Sequence, residues 1–258
     1  MERDRLRRAW DEGRAAINGW CLIGDPFAAE IMAAQGYDAL TVDMQHGALD
    51  YGALLPMLQA VRASGVTPLV RVPWRDPAAV MKALDAGATG IVCPMVNTAA
   101  EAAEFVSYMR YPPQGQRSWG PARASLVRPG YSPAVNGEVL AFAMIETAEG
   151  LANLDGIVAT PGLDGIYVGP ADLTLGATAG RLPPGLDREE EEMISLIRRV
   201  LAACKGAGLR AGLHCATPDY AATAVGWGFD LTTVSDDMSH IASGAAASVA
   251  RWRALTGG

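Results

Sequence analysis

Short apolar segments alternate with longer amphipathic segments along almost the whole sequence. Most of the short segments are apolar throughout and lack the alternation of buried and exposed positions that a half-exposed strand shows. Continuous apolar runs of this length are typical of parallel β-strands that are buried on both faces. The sequence therefore predicts eight strands, which cover residues 17–23, 39–43, 67–71, 90–93, 139–145, 165–168, 210–214 and 230–234.

Helices are predicted between these strands and after the last one. Asp25-Pro26 and Asp76-Pro77 combine a capping side chain with a proline in the first turn, which is a helix-start signal. Gly36 and Gly87 end their segments just before the next strand, where a left-handed residue stops a helix. The predicted helices cover residues 26–36, 52–64, 77–87, 98–110, 150–160, 187–208, 217–227 and 238–255.

Eight strand–helix units in a chain of 258 residues favour a closed (β/α)8 barrel. Such a barrel typically needs about 250 residues, so residues 1–258 are predicted to form a single α/β domain. The alternative fold is an open α/β sheet with helices on both faces.

Composition and charge exclude several classes of protein. Half of the residues are hydrophobic, and 28 acidic against 21 basic residues give a net charge of −7, which argues against nucleic-acid binding. No apolar run is long enough to span a membrane, and the first residues lack an apolar signal segment, so a cytoplasmic protein is expected. The cysteines show no metal-finger spacing and are expected to be reduced; they are Cys21, Cys93, Cys204 and Cys215.

Residues 111–137 interrupt the rhythm of strands and helices with many Pro, Gly and Arg residues. We interpret this segment as a long βα loop after the fourth unit, placed at the active site or at a subunit interface. Arg117 and Arg123 lie in it and are candidates for recognising an anionic aldehyde. They can equally be surface charges or subunit contacts.

Polar side chains follow several of the predicted strands at the point where each strand ends. In a (β/α)8 barrel these ends form one face, which carries the chemistry. We therefore expect the polar strand-end residues to lie close together. They are His46, Arg71, Glu146, Asp172 and His214.

Glu146 and Asp172 come from neighbouring strands, and adjacent parallel strands lie about 4.8 Å apart. Two such carboxylates can share a hard divalent cation, because Mg²⁺ is often held by one or two carboxylates with water and substrate completing its shell. The alternative is a pair of solvated or helix-capping acids. Residues 169–172 begin a short helical turn, and its free backbone N–H groups can bind a carboxylate or a phosphate. The alternative is that these residues are a simple strand-to-turn transition.

Histidine is the side chain that ordinarily exchanges a proton near neutral pH, so His46 is a candidate base, with Asp43 and Asp85 as possible orienting partners. Its alternative is a structural role. Arg71 is suited to stabilising an enolate, or it forms a structural ion pair. His214 lines the same face or fills space there.

No lysine is placed for Schiff-base chemistry, because the two lysines fall in predicted helices. No nucleophile elbow, phosphate-binding loop or dinucleotide motif follows any predicted strand.

Several of these motifs together resemble the HpcH/HpaI aldolases, the class II pyruvate aldolases that include 4-hydroxy-2-oxoheptanedioate aldolase. The central motif is Val42-Asp43-Met44-Gln45-His46-Gly47. The resemblance extends over about residues 17–255, and the other segments that carry it are 29–31, 82–88, 94–98, 110–115, 145–147 and 166–173.

The resemblance implies a (β/α)8 barrel, commonly a homohexamer whose last helix is exchanged between partner subunits. It implies that Glu146 and Asp172 bind Mg²⁺, Mn²⁺ or Co²⁺. The amides of Ala171 and Asp172, in the turn that Gly169 and Pro170 begin, are expected to hold the carboxylate of pyruvate.

The same resemblance assigns the remaining roles. His46 is expected to be the base, made more basic by Asp85, and Arg71 is expected to stabilise the enolate. Trp20 is expected to line the pocket, although a tryptophan at this point of a strand is more often part of the core.

Two departures from the family pattern affect the substrate site. Well-studied members carry Asp-Gly-Glu-His where this chain has Asp43-Met44-Gln45-His46. They also place a substrate-contacting Gln two residues before the metal-binding Glu, where this chain has Met144. The orientation of the donor substrate is therefore open.

The predicted reaction is metal-dependent aldol cleavage or condensation of 4-hydroxy-2-oxo acids, through the enolate of pyruvate or a related 2-oxo acid and an aldehyde. An acyl-CoA lyase or an oxaloacetate decarboxylase would use the same enolate. The non-enzymatic alternative is a sensor that binds a 2-oxo acid.

Overall fold

The computed structural model describes residues 4–257. Its eight parallel strands pair in chain order, and the last strand pairs with the first to close a barrel. The prediction of a (β/α)8 barrel is confirmed, and the open sheet is wrong because no strand edge remains unpaired between β1 and β8 in the described chain. The strands are β1 (Ala16–Cys21), β2 (Ala39–Asp43), β3 (Thr67–Arg71), β4 (Gly90–Cys93), β5 (Leu140–Ile145), β6 (Gly165–Val168), β7 (Arg210–Cys215) and β8 (Leu231–Asp236).

The outer layer consists of helices, several of which begin at the predicted caps. Asp25 and Asp76 each accept hydrogen bonds from first-turn amides, with Pro at the start of the helix. The helices are α1 (Arg5–Asp11), α2 (Pro26–Ala33), α3 (Tyr51–Ala63), α4 (Pro77–Asp85), α5 (Ala99–Met109), α6 (Ala122–Val127), α7 (Ala148–Ala152), α8 (Leu154–Val158), α9 (Pro170–Ala177), α10 (Glu191–Gly206), α11 (Pro218–Trp227) and α12 (Asp237–Thr256), with a 3-10 turn at Pro133–Gly137.

Alternate residues of each strand point into the barrel, and these inner side chains form a second, smaller core. Trp20, Phe142 and Tyr167 are the largest strand side chains of this inner core, which Trp10 of α1 also joins. The other strand residues pack outward against the helices in a larger apolar layer. Strand register therefore decides which polar residues face the axis at the mouth of the barrel.

The segment 111–137 follows α5 and precedes β5, so it is an αβ connection and not the βα loop that we predicted. Because the helices run antiparallel to the strands, this connection lies at the N-terminal end of the barrel, opposite the strand ends that carry the predicted chemistry. Arg117 donates to Asp85 and Arg123 donates to the carbonyl of Ala86. Within one chain, therefore, neither arginine reaches the predicted aldehyde site.

The last helix, α12, extends from the barrel as a largely exposed helix of 20 residues. Its contacts with the barrel are mainly with β1 and β8, near its start. Five of its large apolar side chains are at least half exposed: Met238, Ile241, Val249, Trp252 and Leu255. Among residues 4–257, no helix has the length and apolar character required to cross a membrane.

Candidate active site

Three polar residues converge at the C-terminal mouth of the barrel because each stands at the end of a strand. Asp43 ends β2 and Arg71 ends β3, and the strand register places these two residues side by side. Glu146 follows directly after β5, across the mouth. All three are buried, although all three carry ionisable groups.

Asp43 and Arg71 form a two-point ion pair. The Nε and Nη2 atoms of Arg71 donate to the two carboxylate oxygens of Asp43 at 2.8 and 2.5 Å. Burial by itself raises the pKa of Asp43, but the hydrogen bonds and charge of Arg71 outweigh it, so the pKa lies below its ordinary value. The pair uses two of the five guanidinium N–H groups, which leaves three for another anion.

Trp20 connects this ion pair to the opposite wall of the mouth. Its Nε1 donates to Asp43 at 3.2 Å, and the guanidinium carbon of Arg71 lies 4.9 Å from the centre of its ring. The ring of His214, near the end of β7, meets the Trp20 ring edge-on at 4.5 Å. Trp20 is 1% exposed, so it is a core side chain whose upper edge borders the site.

Glu146 is a buried carboxylate held from one side by a backbone amide. The N–H of Met95 donates to its Oε1 at 2.7 Å. Burial is the main cause that raises the pKa of Glu146 to about 7; the charge of Asp172 raises it further, and the Met95 amide and Arg71 oppose this. At neutral pH the group therefore lies close to its midpoint and favours a cation beside it.

Gly169 makes room for this carboxylate. A Cβ atom on Gly169 would lie 2.6 Å from Oε2 of Glu146 and 2.9 Å from Cε of Met144. Met144 is buried, and its methyl group lies near the same point, so this position brings no polar group to the Gly169 side of the site. The second oxygen of Glu146 thus faces the start of α9.

Asp172 lies in the first turn of α9 and is exposed at the mouth. Gly169 is the N-cap of this helix and has no side chain to cap it, and Pro170 has no N–H. The amides of Ala171 and Asp172 are therefore left for an external acceptor, at the positive end of the helix. This supports the interpretation of the turn as an anion site over a plain strand-to-turn transition.

The donor set at Glu146 and Asp172 fits a hard divalent cation. Both offer carboxylate oxygens, and the negative charge of Asp172 adds to the burial that raises the pKa of Glu146, so a divalent cation beside the pair would be favourable. No group of three or more His, Cys, Asp or Glu residues in the described chain, residues 4–257, forms a complete metal cage. A cation here would therefore depend on water and substrate for the rest of its ligands, which suits an open catalytic position.

His46 lies exposed in the loop between β2 and α3, on the same face as Arg71. The loop turns tightly: a Cβ on Gly47 would lie 2.2 Å from the carbonyl oxygen of Asp43. The amides of Gln45 and His46 point at the Asp43 carboxylate, at 3.0 and 3.4 Å. Asp43 therefore fixes the loop that carries His46, through its backbone.

Asp85, the expected partner of His46, is not brought near it within one chain. It is the last residue of α4, which runs from the mouth back to the N-terminal end of the barrel, and its carboxylate accepts from Arg117 at 2.6 Å. The prediction that Asp85 makes His46 more basic is thus not met by the geometry of the single chain. The nearer candidate, Asp43, contacts the His46 backbone.

Three features of this site were not predicted. The amide of Met95 that holds Glu146 is a backbone donor, which no side-chain pattern reveals. Met95 has φ of +57°, an uncommon value for a residue other than Gly. The bidentate pairing of Asp43 with Arg71 and the contact of Tyr167 with His214 depend on strand register, which is a tertiary property.

A large cavity of about 760 Å³ lies at the other end of the barrel, lined in part by Trp10, Glu138 and Arg210. Its ionic groups are already paired, as in the ion pairs of Arg128 with Glu138 and of Arg210 with Asp230. Its lining includes none of the candidate residues at the strand ends, so the candidate active site is the mouth at the opposite end.

A (β/α)8 barrel with ionisable residues of several strands gathered at its C-terminal mouth defines a barrel enzyme. The pattern of the HpcH/HpaI aldolase/citrate lyase family matches residues 19–242, and the chain belongs to this family. The family and the names of its relatives indicate a carbon–carbon lyase.

Two relatives and one solved structure illustrate the likeness. A hydroxypyruvate/pyruvate aldolase of Rhizorhabdus wittichii is 42% identical over 98% of this chain and 100% of its own length. A 4-hydroxy-2-oxovalerate aldolase of Novosphingobium aromaticivorans is 37% identical over 79% of each chain. The crystal structure of a family member from Burkholderia cenocepacia superposes with a TM-score of 0.87 at 33% identity, covering 96% of this chain and 98% of the other.

Proposed function

We propose that this enzyme catalyses the reversible aldol cleavage of 4-hydroxy-2-oxo acids to a 2-oxo acid and an aldehyde, with pyruvate or hydroxypyruvate as the 2-oxo acid. The observation that carries the proposal is the convergence of Glu146 and the Arg71–Asp43 pair at one mouth, beside the uncapped start of α9. The names of the relatives support the substrate class.

Glu146 and Asp172 would hold a divalent cation, Mg²⁺, Mn²⁺ or Co²⁺. When bound, this ion supplies Lewis-acid polarisation of the 2-oxo group. The amides of Ala171 and Asp172 bind the substrate carboxylate at the start of α9, and Gly169 and Pro170 shape that turn. The carboxylate and the reacting carbon are thereby oriented relative to Arg71.

Arg71 stabilises the negative charge that develops on the 2-oxo oxygen as the enolate forms. Asp43 accepts hydrogen bonds from two of its N–H groups and so fixes the plane of the guanidinium. The remaining N–H groups are therefore already oriented before the reaction, and Arg71 does not have to lose side-chain freedom as the charge develops. Trp20 supports the guanidinium from its ring face and excludes water from that side.

His46 moves the proton. In cleavage it accepts, directly or through a water molecule, the hydrogen of the C4 hydroxyl group. The C3–C4 bond then breaks, its electron pair forms the enolate, and the aldehyde leaves. Protonation of the enolate at C3 releases the 2-oxo acid. Within one chain Asp85 lies at the other end of the barrel, so its proposed effect on the basicity of His46 requires an Asp85 from another chain of the proposed homo-oligomer.

The enzyme is also proposed to be a homo-oligomer, a hexamer in the arrangement that the family resemblance implies. The exposed apolar side chains of α12 support an intersubunit role for this helix, because they lack a partner surface on their own barrel. The interface alternative for residues 111–137 is retained on the same basis, since Trp119 is half exposed there.

The proposal is tested by following exchange of the pyruvate methyl protons in D₂O, together with cleavage of a 4-hydroxy-2-oxo acid coupled to lactate dehydrogenase. Both activities are expected to require added Mn²⁺ or Mg²⁺ and to disappear after chelation. Exchange that is unaffected by removal of the metal would refute the mechanism. Tight binding of 2-oxo acids without turnover would instead support a sensor.

Decarboxylation of oxaloacetate can use the same enolate, and it is measured in the same assay without an aldehyde. An acyl-CoA lyase is the weaker candidate, because the mouth offers no described cluster of basic residues for a nucleotide beyond Arg71 and Arg75, and Arg75 is paired with Glu101 and Glu104.

A further inference from the structure

Four polar side chains from four different strands meet inside the otherwise apolar barrel, below the mouth. Asn18, Thr41, Tyr167 and Thr233 are all fully buried. Space for the Tyr167 ring exists only because residue 212 is glycine, since a Cβ there would lie 2.6 Å from the ring. Buried polar groups must be matched donor to acceptor, so the positions of their hydrogens can be deduced.

The amide of Asn18 fixes the direction of the first hydrogen bond. The hydrogen-bond donors and acceptors around it are matched when Nδ2 faces the carbonyl oxygens of Ala39 and Gly19, at 3.2 and 3.3 Å, and Oδ1 faces the Thr233 hydroxyl at 2.8 Å. In this orientation the Thr233 hydroxyl donates its hydrogen to Asn18.

The rest of the chain of hydrogen bonds follows from that first step. Thr233 has no second hydrogen, so in its close contact with Tyr167 the phenol O–H must donate to Thr233. The Tyr167 oxygen can then only accept. Besides Thr233 and Asn18, its neighbour is Nδ1 of His214, at 3.5 Å, at the outer limit of a hydrogen bond. This contact is favourable only if Nδ1 carries the hydrogen.

His214 is a neutral imidazole at physiological pH, because burial and the charge of Arg71 lower its pKa to about 4. A neutral ring with its hydrogen on Nδ1 has a bare lone pair on Nε2. Within residues 4–257 no protein group donates to that nitrogen. The ring lies against Trp20 at the mouth, across from Arg71.

We propose that Tyr167 is a positioning residue that fixes His214 as its Nδ1–H tautomer, and that Nε2 of His214 accepts a hydrogen bond from a hydroxyl group on C3 of the donor 2-oxo acid. The enzyme then prefers hydroxypyruvate to pyruvate, because the methyl group of pyruvate cannot donate this bond. The inference rests on the proposed function, since it assigns the donor selectivity of the same site. A site built to pair with a hydroxyl discriminates against the analogue that lacks it.

The Tyr167→Phe variant removes the phenol oxygen and keeps the ring. The ratio of kcat/KM for hydroxypyruvate to that for pyruvate is expected to fall about tenfold, the worth of one hydrogen bond, through KM for hydroxypyruvate. The kcat/KM for pyruvate is expected to stay within about twofold. Thr233→Val removes the acceptor of the phenol hydrogen while keeping the shape of the side chain beside His214, and it is expected to lower the same ratio, whereas Thr233→Ser keeps it.

A direct readout is the ¹⁵N NMR spectrum of the imidazole rings, which a purely structural role of Tyr167 would not alter. The chain has only three histidines, so His46→Gln and His240→Gln assign the His214 signals by elimination. The wild type is expected to show His214 with hydrogen on Nδ1, and Tyr167→Phe is expected to show a shift towards the Nε2–H form.

The outcomes separate the two proposals. Absence of turnover with both donors in the metal-loaded wild type contradicts the proposed function. Turnover of both donors with an unchanged ratio in Tyr167→Phe and Thr233→Val, or a wild-type His214 with hydrogen on Nε2, overturns the inference alone. His214→Gln, which retains an acceptor at the same reach, is expected to keep more of the hydroxypyruvate preference than His214→Phe.

Discussion

Arg71 donates to the Asp43 carboxylate through Nε and Nη2, at 2.8 and 2.5 Å. The indole Nε1 of Trp20 donates to the same carboxylate. Asp43 also receives the amides of the loop that carries His46. The buried Asp43 carboxylate thus fixes two parts of the site: the Arg71 guanidinium that would stabilise an enolate, and the loop that holds the candidate base His46. The geometry of the site depends on this residue, although the resemblance gave it no role.

Replacement of Arg71 by Lys is expected to reduce kcat for aldol cleavage about 100-fold or more. A lysine cannot bind Asp43 at two points and also direct a donor at the substrate, and loss of one preorganised donor to a developing oxyanion typically costs about 10²–10³ in kcat. Steady-state cleavage kinetics measure the effect. Arg75→Lys, in the following loop, is the matched control and should stay near wild type; equal losses in the two variants would count against the role of Arg71.

Replacement of Glu146 by Gln is expected to abolish tight binding of Mn²⁺ in calorimetric titration. Loss of a direct carboxylate ligand should weaken binding by more than the about 10–100-fold that loss of an outer-shell partner costs. Glu149→Gln, an exposed acid three residues along the chain, serves as the control. Undiminished Mn²⁺ affinity in Glu146→Gln would show that the cation binds elsewhere.

The metal-free enzyme is expected to lose stability as pH rises from about 4.5 to 7. The pKa of Glu146 is about 7 in the folded protein, whereas the ordinary value, which applies to the unfolded chain, is 4.5. Between these two pH values the folded state therefore holds a proton that the unfolded chain has released. Stability from this group is complete below pH 4.5 and falls by about 3 kcal/mol as pH rises through 7.

The measurement is the difference in unfolding free energy between wild type and Glu146→Gln across this pH range, without metal. Other titrating groups cancel in the difference. The wild type should become the less stable of the two at high pH, and saturating Mn²⁺ should remove this loss. A difference that is flat with pH would show that Glu146 ionises normally.

The strands and the mouth were predictable because they follow from local patterns. A fully buried strand must be apolar along its length, and a barrel brings all strand ends to one face. The sequence therefore placed Arg71, Glu146 and Asp172 correctly at that face. The sequence did not reveal that Arg71 pairs with Asp43, because the relative stagger of β2 and β3 decides which residues of the two strands meet.

One error and one prediction that a single chain does not meet have a common physical origin. A segment after a helix returns to the N-terminal end of the barrel, whereas a segment after a strand stays at the mouth. Residues 111–137 follow α5, and Asp85 ends α4, so both lie away from the mouth of their own chain. The amide of Met95 was also unpredictable, since its direction depends on a left-handed backbone conformation and not on its side chain.

Gly169→Ala is expected to weaken metal binding and activity together while leaving the fold intact. The new methyl group would lie 2.6 Å from Oε2 of Glu146, and the backbone of β5 and the Met95 amide leave the carboxylate little freedom to move. Mn²⁺ titration and cleavage kinetics test this. Gly156→Ala, where the nearest atom would be an ordinary 3.5 Å away, is the control. Wild-type affinity in Gly169→Ala would mean that the Oε2 side of Glu146 is not used.

Trp252→Asp is expected to reduce the assembly to smaller species. Trp252 is 65% exposed on α12, together with other apolar side chains, and an exposed apolar stripe on a helix far from its own barrel is stable only against a partner surface. Light scattering coupled to size exclusion should give a wild-type mass several times that of the 27.0 kDa chain and a lower mass for the variant. Gln59→Asp, on the exposed face of α3, adds the same charge and should leave the mass unchanged. A monomeric wild type would contradict the proposed oligomer, and it would leave the mouth of the barrel as a complete site within one chain.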